Sequence, residues 1–78
     1  MSEASLDVAR AIAAAREIID GRDLQANFAD ILVTAEHAVA TLLVALMGDE
    51  RKAAKMLNEG LVQGIEQRLA FHASRRLL

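Results

Sequence analysis

The 78-residue sequence predicts an all-α chain of three helices, built on an antiparallel helical hairpin. It also predicts that the chain completes its core as a homodimeric helical bundle. Three observations lead there. The composition is 54% hydrophobic, much of it Ala and Leu, with no Pro. Ala and Leu are strong helix formers and Pro the strongest breaker. The apolar residues recur at a helical period, with no sustained alternation of the kind a strand shows. Finally, residues 38–47, Ala-Val-Ala-Thr-Leu-Leu-Val-Ala-Leu-Met, carry no charge. A helix through them is apolar around most of its girth and needs cover on more than one side. A chain of this size buries only about 60% of its unfolded surface. Without Cys it has neither disulfides nor thiolate metal sites as staples, which leaves oligomerisation.

The first helix is expected over about residues 5–20. Val8, Ile12, Ala15 and Ile19 form one stripe, flanked by Ala11 and Ile18, while Asp7, Arg10, Glu17 and Asp20 occupy the other sides. Ser5 is the expected N-cap, and Gly21 the stop, as the residue that tolerates a left-handed backbone.

The second helix is expected over about residues 24–47, with Asp23 as its N-cap. Its main stripe is Leu24, Phe28, Ile31, Leu32, Ala35, Val39, Leu42, Leu43 and Leu46. A second stripe, Val33, His37, Ala40 and Val44, runs along the opposite side. Two apolar sides predict two packing partners: the chain's own first and third helices on the main side, and another copy on the second.

Gly48-Asp49 is a link short enough to turn the next helix antiparallel. Asp49 caps a third helix over about residues 50–75. Its stripe is Ala54, Leu57, Leu61, Ile65, Leu69 and His72/Ala73, with Val62 beside it. The stripe keeps register across Gly60 and Gly64, which favours one long helix; a break near Asn58-Glu59-Gly60 is the alternative. Each mid-helix Gly costs about 1 kcal/mol relative to Ala. Gly60 and Gly64 share a side with Ala53 and Phe71, and a close-packed second helix there would explain them. The residues expected at the self-association surface are therefore Val33, His37, Ala40, Val44, Gly60, Gly64 and Phe71. With no linker or repeat, residues 1–78 read as a single helical domain.

The same sequence carries no catalytic, cofactor-binding or metal signature. His37 is followed by Ala38-Val39-Ala40-Thr41, without the basic residue and Gly that usually steady a phosphohistidine. Di-metal bundles use Glu three residues before His, but here those positions hold Thr34 and Leu69. If His37 meets its own copy, protonation below about pH 6 sets like charges together and weakens association.

Eleven acids against nine bases, net −2, give no field that steers the chain to nucleic acid. The basic cluster Arg51, Lys52 and Lys55 is interleaved with Asp49, Glu50 and Glu59, and no Tyr or Trp offers a stacking platform. The apolar stretch Ile31–Met47 is about 17 residues long and contains Glu36 and His37, short of the ~20 a membrane span requires. Met-Ser-Glu-Ala-Ser lacks the basic and apolar regions of a signal peptide. These features predict a cytoplasmic protein with no membrane contact. Its expected function is that of a small non-enzymatic adaptor or regulator acting through protein–protein interaction. Its partners are itself and, through a patch of Met56, Phe71, Leu77 and Leu78, a second protein. A nucleic-acid-associated small helical regulator is the alternative.

Overall fold

The computed structural model describes residues 3–76. Among them there is no strand. The elements are α1 (Glu3–Ile19), α2 (Phe28–Met47), α3 (Glu50–Met56), a π turn (Leu57–Leu61) and α4 (Val62–Arg76). The chain divides into two units, Met1–Val39 and Ala40–Leu78.

In the first unit, α1 begins at Glu3, which places Ser5 inside the first turn rather than at the cap. Nothing in the sequence stops the helix at Ser5: Ala4 is a good helix former, and the Glu3 carboxylate suits the positive end of the helix dipole. The other end falls where Gly21 predicts. Asp20 (φ 52°) and Gly21 (φ 69°) both take the left-handed conformation, which Asp tolerates better than most residues. Arg22 then folds back over the helix end. Its backbone N–H donates to the Ile19 carbonyl at 3.0 Å. Its Nε donates to that same carbonyl at 3.0 Å, and its Nη2 to the Ile18 carbonyl. A cation here satisfies orphan carbonyls and complements the dipole.

Asp23 caps a turn rather than the helix itself: Oδ1 accepts from the N–H groups of Gln25 (2.9 Å) and Ala26 (2.7 Å). The helix proper starts at Phe28, one turn later than residue 24, because residues 24–27 form a turn. Turn and helix are joined by the bonds from Asn27 N–H to Asp23 O (3.0 Å) and from Ile31 N–H to Asn27 O (2.9 Å). Asn27, a residue that prefers caps and turns to helix interiors, sits at the join.

In the second unit, α2 ends on Gly48 (φ 89°), whose N–H donates to Val44 O at 2.8 Å. Asp49 is extended, and its Oδ1 accepts from Lys52 N–H at 2.8 Å, the cap that opens α3. From there the backbone neither breaks at Asn58-Glu59-Gly60 nor continues as a plain α-helix. Met56, Leu57 and Val62 all keep helical angles, and the Val62 N–H reaches back five residues to Leu57 O. Side-chain amides serve carbonyls around this π turn: Asn58 Nδ2 donates to Ala54 O, and Gln63 Nε2 to Asn58 O, both at 3.0 Å. The turn explains the stripe. A four-residue spacing rotates steadily off one side of an α-helix, whereas a π turn absorbs an extra residue, so Leu57, Leu61 and Ile65 drift less.

The buried apolar residues among those described are Leu43 (5% exposed) and Ala53 (7%).

Candidate interaction surface

Because α2 is apolar around most of its girth, much of its open surface is hydrocarbon. Along the main stripe, Leu24, Phe28, Leu32, Leu42 and Leu46 are exposed, Leu46 by 64%. Along the second stripe, Val33, His37, Ala40 and Val44 are exposed as well. Spacings of 4, 3 and 4 residues keep these four on one side of the helix. Gly60 lies in the π turn, and Gly64 and Phe71 on α4. Both glycines are half-buried. A Cβ on Gly60 would meet Met56 Sδ at 3.1 Å, whereas one on Gly64 would meet only Arg68 Nη1 at 3.8 Å, so the Gly64 side is open. Phe71 is exposed and stands edge-on to the His72 ring, with centroids 6.1 Å apart. Of the docking patch, Met56 and Phe71 are exposed; Leu77 and Leu78 lie outside the described residues.

Read from Phe28, α2 has 20 residues, and it is long and apolar enough to cross a membrane. That revises the 17-residue count, which began at Ile31. The core helix of a soluble protein has the same length and composition.

Two features escaped the sequence reading. Arg22 Nη2 also donates to Thr34 Oγ1 at 3.2 Å, and that hydroxyl in turn donates to Asp30 O at 3.1 Å. The available signal was a basic residue directly after a helix-stopping Gly. The second is an open depression of about 400 Å³ lined by Met47, Lys52, Lys55, Met56, Glu59 and Gly60. Its lining includes two flexible thioethers, which adapt to what they meet.

The Asp23 carboxyl is held below its ordinary 3.8 by the Ala26 and then the Gln25 backbone N–H groups. Among the described residues no three His, Cys, Asp or Glu side chains gather as a metal ion requires. Comparison of the chain with protein-family models, with curated proteins and with solved structures finds no match.

Proposed function

We propose that this chain is a small non-enzymatic interaction protein, an adaptor or regulator that self-associates and works by covering a partner's surface. In this reading α2 and the helical run of α3 and α4 form an antiparallel hairpin around the Gly48-Asp49 turn. Two copies then pair into a bundle. The second stripe of α2 and the glycine side of α4 form the contact, joined by the main-stripe side chains Leu42 and Leu46 that a single chain leaves exposed. One observation carries the reading: fifteen large hydrophobic side chains are exposed among the described residues. Scattered single apolar groups are normal on a protein surface; apolar groups gathered along helix faces mark contact sites.

The experiment is affinity capture of the tagged chain from its own cells, alongside a Leu42→Glu variant and a light-scattering mass. A stoichiometric protein recovered by the parent and lost by the variant supports a partner-covering role. If nothing is recovered and the scattering mass is that of one chain, the reading fails.

A further inference from the structure

The open depression of about 400 Å³ lies wholly within the second unit, lined from the last residue of α2, from α3 and from the π turn. Two features of its lining run against helix stability. The first is its cations. Lys52 and Lys55 line it, and both sit early in the helix that Asp49 opens, with the Lys52 backbone N–H bound by that cap. Positive charge there opposes the helix dipole. No carboxylate among the described residues pairs with either ammonium; Glu59, four residues beyond Lys55, stands in the less favourable order for a helical pair. The second is Gly60, which weakens a helix interior. A Cβ there would meet Met56 Sδ at 3.1 Å, so the bare backbone gives the Met56 thioether its place in the lining. The π turn that carries Gly60 is a distortion found often at functional sites. We propose that this depression is the docking site for a helical segment of a partner protein: one large apolar side chain rests on Met47 and Met56, and carboxylates beside it face Lys52 and Lys55. The inference rests on reading the chain as an interaction protein, and adds where a partner is gripped and by what chemistry.

Shape and charge select the occupant. Pockets that hold small molecules bury about 70–90% of the ligand surface. A lone small molecule in this open depression would stay wet, whereas a side chain carried on a helix brings its own cover. Thioethers accept apolar side chains of many shapes, as grooves that receive amphipathic helices do. Lys52 and Lys55 are three residues apart, a spacing that brings side chains to one helix face. Carboxylates at the same spacing on the incoming helix match it. Nucleic acid fits less well: Glu59 in the lining repels phosphate, and the chain has no Tyr or Trp on which to stack a base.

The test is a titration of the full chain followed by NMR of the Met47 and Met56 ε-methyl groups. The probe is an Ala-rich helical peptide with two Glu three residues apart and a Leu one turn beyond, all on one face. Companion peptides carry Gln for Glu, or Ala for Leu. The expected result is a saturable shift of both methyls with the Glu-Leu peptide and none with the Ala peptide. Affinity should fall about tenfold for the Gln peptide, since each exposed ion pair is worth a few-fold. It should fall equally for the Glu-Leu peptide on a chain carrying Lys52→Gln and Lys55→Gln. Gln is nearly as good a helix former as Lys, so that variant keeps its helix. Absent shifts overturn the inference, as do equal affinities for the Glu and Gln peptides. Shifts produced by dodecanoate and not by the peptide also overturn it, with a small amphiphile as occupant. So do shifts that follow dilution of the chain alone and ignore the peptide, with a second copy as occupant. The affinity capture separates this inference from the reading beneath it, because Leu42 lies outside the lining. A partner lost by Leu42→Glu but kept by the double Lys variant overturns the docking site and leaves the interaction reading standing.

Discussion

Leu43 and Leu46 lie three residues apart on α2, yet one is 5% and the other 64% exposed in the single chain. Truncating each to Ala therefore separates what one copy buries from what two copies bury. Leu43→Ala removes the largest buried side chain among the described residues and should cost about 2–5 kcal/mol whatever the assembly. Leu46→Ala on a lone chain should cost within about 0.5 kcal/mol of nothing. If a second copy covers it, the result differs. Burying a Leu completely is worth about 1.5–3 kcal/mol, and roughly two thirds of that is still outstanding at Leu46. The variant then loses about 1–2 kcal/mol per chain, or about 2–4 kcal/mol per dimer. At 1.4 kcal/mol per decade, the dimer dissociates about 30- to 1,000-fold more readily. Sedimentation equilibrium measures that constant directly, and urea melts at matched concentration report the accompanying stability. If Leu46→Ala leaves the dissociation constant unchanged, and Leu42→Ala one turn earlier does the same, the main side of α2 touches no second copy and the reasoning fails.

Two further predictions use the glycine side and the Asp23 cap. Gly64→Leu should weaken assembly more than Gly64→Ala, because a single Cβ meets only Arg68 Nη1 at 3.8 Å and Ala gains about 1 kcal/mol of helix propensity; equal and negligible effects in sedimentation would show that no helix packs there. The Asp23 carboxyl is held below its ordinary 3.8 by backbone N–H groups of Ala26 and Gln25. Its ionised form thus contributes stability that is complete above that value and lost as pH falls through the lower folded-state value. Urea midpoints of the parent and of Asp23→Asn, another competent cap, should differ near neutral pH and converge as the pH falls below 3.8; a gap that ignores pH would refute the assignment.

What the sequence made legible is what local chemistry decides. Gly21, Asp23, Gly48 and Asp49 act through their own backbone angles or through bonds to residues two or three positions away, so the identities of Gly21, Gly48 and Asp49 suffice to place helix ends, while Asp23 places only the turn before Phe28. The π turn was less accessible. It depends on whether the Val62 N–H takes the carbonyl four or five residues back, a small energetic difference tipped by surroundings. Its trace in the sequence was the even spacing of Leu57, Leu61, Ile65 and Leu69, too wide for a straight α-helix. Arg22 required knowing that the α1 end and Thr34 come within reach of one guanidinium. The candidate surface was legible as a pattern, in Val33, His37, Ala40 and Val44, but what meets it is not decided by the local chemistry of one chain.

The polar residues of α2 constrain that second surface. On a helix turning 100° per residue, the main stripe and the second stripe occupy opposite sectors, and two seams separate them. One seam carries Asp30, Thr34 and Thr41; the other carries Glu36. Asp30 and Glu36 are exposed. In a bilayer the seams would have no water. The nine Phe, Ile, Leu and Val side chains of α2 favour insertion by about 3–5 kcal/mol, and one central carboxylate opposes it by about 2.5–3.5 kcal/mol, so Glu36 alone cancels more than half. Packed instead between two protein surfaces, the same helix buries both stripes and keeps both seams wet. That arrangement asks no carboxylate to lose its solvation, and it favours protein as the cover for this helix.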